Sequence, residues 1–265
     1  MIRLHWWNGR PNFGDELSRI VCERLSKRWT DWAPFESADL LGIGSLLATH
    51  LYDRGVLEQY RGYVWGTGCM VDRDHVSVPA ARIVAVRGPL TAEQLRGQTT
   101  ESPVLGEPGL FARELTSSLP NPRYVLGVIP HWSESKHPFF ASPLVQRSDV
   151  TLIDPAADAM SVIGHVSQCQ HIASSSLHGL VVADSLGIPN CWMRLETGHE
   201  DRAGSTRFKF RDYFLGSSGV DNREPIQPDP KITLDGILSG MQCLSEARVN
   251  SICSGLRDVF PFSPL

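Results

Sequence analysis

Three serines and a histidine occur together where an apolar run gives way to a helical pattern. Ser174, Ser175 and Ser176 end a predicted strand, and His178 falls in the first turn of the next helix. The unpaired amides of such a turn, with the hydroxyl groups, can bind an anion. Imidazole can supply a proton near neutral pH. The pattern predicts an anion site with a general acid; alternatively, Ser176 only caps the helix and His178 lies on the surface.

Arg87 is a second candidate, because it stands between an apolar strand pattern and a helix that begins at Pro89. Its planar guanidinium can bind a carboxylate or phosphate through two hydrogen bonds. We therefore expect Arg87 to bind an anionic substrate. The alternative is a salt bridge between two halves of the molecule.

Two polar loops at predicted strand ends are candidates for binding substrate, and the first suits an acceptor sugar. The first contains Asn12 and Asp15, whose side chains offer hydrogen bonds. Asp15 is equally explained as the cap of the helix that follows. The second contains Thr67 and Gly68, and on its own such a segment is usually only a tight turn.

Aromatic and basic residues provide further candidates in the second half of the chain. His131 lies beside Trp132 at a predicted strand end, which suits sugar stacking, although a buried aromatic is the commoner outcome. Residues 207–214 mix cations with aromatics. This segment predicts either a helix with solvated charges or a lid that presents Lys209 or Arg211 to an anion.

Short apolar runs alternate with helical patterns along the chain, which predicts an α/β fold with parallel sheets and right-handed crossovers. A linker rich in serine and proline at 117–122 separates two Rossmann-like halves, 1–116 and 123–216. A helical segment within 217–265 is expected to pack back on them. Their strand ends should face a shared cleft. The predicted strands are 2–7, 39–43, 63–66, 82–86, 104–105, 124–129, 150–153, 171–173 and 191–195, and the predicted helices include 15–29, 45–52, 156–169, 177–186 and 232–260.

Composition excludes several classes of protein. The formal charge of −4 argues against a nucleic-acid partner, which usually requires a basic surplus. No apolar run is long enough for a transmembrane segment, and a secretory leader pattern is missing. The six cysteines form no CxxC pair, so we expect no metal site and place the protein in the reducing cytoplasm.

Taken in order, six segments resemble the motifs of the polysaccharide pyruvyl transferase family. The resemblance extends over roughly four-fifths of the chain. It implies a two-domain fold like that of the GT-B glycosyltransferases, with the acceptor on the N-terminal half and the donor on the C-terminal half. It also implies phosphoenolpyruvate as donor substrate, no cofactor, and a saccharide acceptor in exopolysaccharide, cell-wall or glycan assembly. The segments are 12–17, 66–68, 86–91, 106–110, 174–189 and 209–213.

The same resemblance assigns roles to individual residues. The catalytic histidine of the family falls on His178 and its donor-binding arginine on Arg87. Many members have aspartate where this chain has Glu107, and Glu107 or Asp15 could deprotonate or orient the acceptor. Many also have arginine where this chain has Ser176. The basic residues that could replace that arginine are Arg194, Arg207, Lys209 and Arg211.

Two other functions fit the same expected scaffold. One is a nucleotide-sugar glycosyltransferase of GT-B type, which the fold does not distinguish from a pyruvyl transferase. The other is a catalytically inactive binding homologue, which the serine at position 176 allows. A lipid-linked acceptor would place the protein at the inner face of the membrane without a span of its own.

Overall fold

The strands form two parallel sheets. The computed structural model describes residues 1–48, 54–99, 101–116, 118–134, 136–195, 205–262 and 264. The strands of these residues are β1 (Ile2–His5), β2 (Thr30–Trp32), β3 (Leu40–Leu41), β4 (Tyr63–Trp65), β5 (Arg82–Val86), β6 (Val104–Leu105), β7 (Tyr124–Ile129), β8 (Val150–Leu152), β9 (Cys169–Ser174) and β10 (Asn190–Trp192). Their order is β2-β1-β3-β4-β5-β6 in one sheet and β10-β9-β7-β8 in the other. The pairings within both sheets are parallel, which confirms the predicted α/β class with two Rossmann-like halves.

Helices follow most of the strands. The α-helices of the described residues are α1 (Phe13–Ser26), α2 (Arg54–Gln59), α3 (Pro89–Gln94), α4 (Ala159–Val166), α5 (Leu177–Ser185), α6 (Ser205–Ser218), α7 (Leu234–Leu238) and α8 (Glu246–Asp258). Four 3-10 helices cover Phe35–Ser37, Pro108–Leu115, Trp132–Glu134 and Pro138–Ala141. In this described part of the chain, none of the helices combines the length and apolar character that a bilayer span requires.

The first helix begins two residues before the predicted start. The side chain of Asn12 accepts a hydrogen bond from the Gly14 amide at 3.0 Å and caps α1. Asp15 therefore lies inside the first turn, and its predicted role as the cap is wrong. The helix ends at Ser26, where Lys27 takes a left-handed conformation with φ of 56°.

Two further helix predictions need correction. Residues 45–48 are not helical, because Leu47 pairs with Cys69 as an extended bridge; residues 49–52 lie outside the described residues. The helical pattern over 232–260 is two helices, since α7 ends before a new cap at Ser245 begins α8.

One apolar core joins the two halves. It contains side chains from α1, from the 3-10 helix Pro108–Leu115 and from α5, among them Leu17, Leu110 and Leu180. Each of these helices follows a parallel strand, so its N-terminus lies near the carboxyl end of a sheet. The packing consequently brings three helix N-termini from both halves together.

Candidate functional site

His178 lies in the first turn of α5, against the N-terminus of α1. A Cβ atom added to Gly14 would lie only 1.9 Å from its Nδ1 atom, so the imidazole occupies the space that a side chain at position 14 would fill. The ring of Phe13 packs edge-on at a centroid distance of 6.4 Å. With a side chain 12% exposed, His178 is not the surface residue of the alternative interpretation.

Glu107 faces His178 from the start of the 3-10 helix Pro108–Leu115. Its Oε2 atom accepts a hydrogen bond from the Gly109 amide at 2.8 Å. Its Oε1 atom lies 3.9 Å from Nε2 of His178, and neither atom has a hydrogen-bond partner among the described residues. Burial raises the pKa of Glu107 to about 8, so its carboxyl group carries a proton at neutral pH.

Arg87 directly follows β5 and is 1% exposed. Its Nε atom donates to Oδ2 of Asp212 at 3.0 Å, its Nη1 to Ser45 Oγ at 2.6 Å, and its Nη2 to the Cys69 carbonyl at 2.7 Å. Gly68 lies against the guanidinium, where an added Cβ would be 2.3 Å from Cζ. The salt bridge that the sequence left as an alternative is thus present, with α6 as its other partner.

Asp212 links Arg87 to the first turn of α3 through hydrogen bonds. It also accepts hydrogen bonds from the Thr91 amide at 3.0 Å and from the Thr91 hydroxyl at 2.7 Å. Sequence reasoning missed this residue. Its only signal was an acid inside the mixed segment 207–214.

The site cluster comprises Arg87, Glu107, His131, His178 and Asp15. The charge of Lys209 affects the pKa of the last three of these residues. Burial, together with the charges of Lys209 and Arg87, lowers the pKa of His178 to about 3. Burial and the charges of Lys209 and His178 likewise lower the pKa of His131 to about 3. Burial raises the pKa of Asp15 to about 7, against the opposing effect of Lys209. The cluster therefore holds neutral imidazoles beside two cations, an arrangement that favours an anionic ligand.

Glu134 is a second residue that sequence reasoning missed. It lies in the 3-10 helix Trp132–Glu134 after β7, and burial raises its pKa while a hydrogen bond with the Ser175 hydroxyl lowers it. Ser175 Oγ also accepts from the His131 amide at 2.9 Å. An acid five residues beyond an apolar run was the only available signal.

Several predicted site residues hold the loops in place. Thr67 Oγ1 donates to the Gly44 carbonyl at 2.9 Å, and Ser174 Oγ bonds to the Ile129 carbonyl at 3.0 Å. Ser176 occupies the cap position of α5, but its hydroxyl makes no capping hydrogen bond. These side chains, with Asn12 at the start of α1, shape the loops around the cluster.

The basic residues of α6 differ in position. The charge of Lys209 lowers the pKa values of His131 and His178 in the cluster. Arg211, in contrast, is 54% exposed and pairs with Asp221. Arg207 is also exposed and lies 3.8 Å from Glu224. Of these three cations, Lys209 is the one that the structure brings to the predicted site.

Part of the chain is similar to a known family. Residues 77–196 match the family model of the polysaccharide pyruvyl transferases. The match confirms the resemblance inferred from the sequence. It includes Arg87, Glu107, His131 and His178, whereas Asp15 and Lys209 lie outside it.

Two relatives extend the similarity over most of the chain. The succinoglycan biosynthesis protein ExoV of Rhizobium meliloti (strain 1021) is 26% identical over 240 residues, or 89% of this chain and 72% of the relative. The uncharacterized protein L143 of Acanthamoeba polyphaga mimivirus is 24% identical over 229 residues, or 83% and 75%.

Proposed function

We propose that this protein transfers the pyruvyl group of phosphoenolpyruvate to a saccharide, as a ketal, during polysaccharide assembly. The family match and the succinoglycan role in the name of one relative support the reaction class. One observation carries the donor assignment: the buried imidazole of His178 lies within the electrostatic reach of Arg87 and Lys209. The charges of Lys209 and Arg87 beside a neutral base suit a small molecule with a carboxylate and a phosphate, and Arg87 acts through its charge because its guanidinium already bonds to Asp212, Ser45 and Cys69.

His178 serves as the general acid. The methylene carbon of an enol phosphate must gain a proton before the neighbouring carbon becomes electrophilic. The His178 pKa of about 3 means that the ligand-free imidazole is neutral at pH 7 and is not yet the imidazolium that acts as the acid. A bound anion raises that pKa through charge attraction, so the acid forms when the donor is in place.

The remaining steps balance the protons. A sugar hydroxyl attacks the electrophilic carbon and releases one proton, which replaces the proton taken by the methylene group. A second hydroxyl closes the ketal as the C–O bond to phosphate breaks, and its proton leaves with hydrogen phosphate.

Of the two acids considered for the acceptor, we propose Asp15. Its pKa of about 7 allows it to take a proton at neutral pH, whereas the Glu107 carboxyl group is bonded to the Gly109 amide. Asp15 therefore deprotonates or orients the acceptor hydroxyl.

The proposal is tested by incubation with phosphoenolpyruvate and a panel of free and lipid-linked glycans. We expect phosphate release together with a ketal mass gain on one acceptor. The substitution His178→Gln should abolish turnover but change donor affinity by less than about 1 kcal/mol. Full turnover in this variant would refute the acid role.

Thermal shifts distinguish the other two functions. Phosphoenolpyruvate should raise the melting temperature, and nucleotide sugars should not. A shift with nucleotide sugars alone indicates a glycosyltransferase. Binding of a glycan without any phosphate release across the panel indicates an inactive binding homologue.

A further inference from the structure

Two buried polar atoms face each other across a short gap. They are Oε1 of Glu107 and Nε2 of His178, which lie 3.9 Å apart. Within the described residues neither has a hydrogen-bond partner, although buried polar atoms of folded proteins are nearly always paired. The other carboxyl oxygen of Glu107 is held by the Gly109 amide, so the free oxygen is directed at the ring.

The protonation states of these two groups are complementary. Burial raises the pKa of Glu107 to about 8, which leaves a hydroxyl hydrogen on its carboxyl group at neutral pH. Burial lowers the pKa of His178 to about 3, which leaves an unprotonated ring nitrogen. One group can donate and the other can accept, so a small closure of the gap completes a hydrogen bond.

We propose that Glu107 stores the proton that turns His178 into an acid: it passes from Oε1 to Nε2 when the anionic donor binds, and the imidazolium so formed releases a proton to the donor. The O–H bond of Glu107 breaks and an N–H bond of His178 forms. The pair changes from two neutral groups to a carboxylate and an imidazolium, and its summed charge stays the same. Glu107 is thus a positioning residue that acts through His178, rather than the residue expected from the sequence to deprotonate or orient the acceptor. That donor binding triggers the transfer rests on the proposed function.

The surrounding charges determine the direction of the transfer. Lys209, Arg87 and His131 act on the His178 ring, and the two cations oppose its protonation until a donor anion offsets them. Around Glu107, Arg87 favours the carboxylate that remains after transfer. The buried Tyr213 and Cys253 are also within electrostatic reach of Glu107 and stay neutral, since burial raises both of their pKa values.

Proton uptake on binding of phosphoenolpyruvate tests the transfer. Calorimetry at neutral pH, in buffers that differ in ionisation enthalpy, counts the protons that the complex takes from solvent. The native protein should take up few protons from solvent beyond those that phosphoenolpyruvate itself binds, because Glu107 already holds the proton that His178 receives. The Glu107→Gln variant should take up about one more proton, and by linkage its affinity should fall by up to about tenfold per pH unit above neutrality.

The conservative variant provides the matched control. Glu107→Asp keeps the carboxyl group, and we expect proton uptake close to that of the native protein. Equal proton uptake and the same pH dependence of affinity in the native protein and Glu107→Gln would overturn the proposal. If the native protein does not bind phosphoenolpyruvate at all, the proposed function fails.

A ligand-free measurement tests the pair independently. The imidazole nitrogen signals of His178 are assigned in NMR spectra by their loss in His178→Gln. In the native protein these signals should shift as Glu107 ionises near its pKa of about 8. The shift should vanish in Glu107→Gln and persist in Glu107→Asp. A folded native protein without this titration contradicts the stored proton, whatever the donor proves to be.

Discussion

Gly14→Ala is the most direct test of the position of His178. The glycine lies in the first turn of α1, and the imidazole of α5 packs directly against it. The added methyl group would lie 1.9 Å from Nδ1, 2.4 Å from Cγ and 2.8 Å from Cβ. All three distances are shorter than any real contact, so the ring has to move.

The displacement and its effect follow from these distances. Ordinary contact begins near 3.4 Å, so the ring must retreat by about 1.5 Å. A catalytic group misplaced by about 1 Å loses roughly 100-fold in rate, and we expect at least that loss of turnover. Stability should change by no more than about 2 kcal/mol, because crowding opposes the higher helix propensity of alanine.

The assay compares two alanine variants with the native protein. Phosphate release in the presence of phosphoenolpyruvate and acceptor gives turnover, and chemical denaturation gives the free energy of unfolding. Gly164→Ala is the matched control, since Gly164 lies inside α4 with open space around the added atom. It should keep native turnover and gain up to about 1 kcal/mol in stability. Native turnover in folded Gly14→Ala would refute the reasoning.

Two other predictions concern stability. The folded protein keeps the Glu107 proton from pH 4.5 to about 8, where the unfolded chain has lost it, so stability should fall as pH rises through this window by at most about 1.4 kcal/mol per unit. The low pKa of His178 makes stability rise as pH rises from about 3 to 6.5. In a plot of the free energy of unfolding against pH, His178→Gln should remove this rise, and Glu107→Gln should remove the fall between pH 4.5 and about 8. Arg87→Lys should lower the free energy of unfolding by about 1–3 kcal/mol in the same assay, because lysine cannot donate the three hydrogen bonds that Arg87 makes within the protein. It should also weaken phosphoenolpyruvate binding several-fold. Arg211→Ala, which removes an exposed pair, should stay within about 1 kcal/mol, and a loss equal to that of Arg87→Lys would contradict the assigned burial.

The sequence predicted the sheets well where apolar runs are sharply bounded. Strands β5, β6 and β7 have the predicted bounds, because polar or turn-forming residues flank each run. The edge strand β2 was missed, since two of its three residues are exposed and leave no apolar pattern. The start of α1 was misplaced because two residues could cap it, and only the structure shows that Asn12 does.

The site was predictable in position but not in its contacts. Strand ends located His178 and Arg87, since parallel strands place their following loops at one edge. The partner of Arg87 is Asp212, 125 residues away, and no local pattern reveals such a pair. Lys209 and Arg211 are two positions apart on α6, and such residues point in nearly opposite directions on a helix. Only packing decides which of them faces the cluster.

In the proposed reaction, the charges at the site make the acid dependent on the donor. To raise the His178 pKa from about 3 to that of Glu107, about 8, the donor must supply about 7 kcal/mol of favourable interaction. One unit charge at about 4 Å supplies about 4 kcal/mol near a protein surface, so two donor charges suffice. A neutral analogue of the donor could occupy the same space without creating the imidazolium. The site should therefore discriminate by charge at the step of proton transfer, and not only at the step of binding.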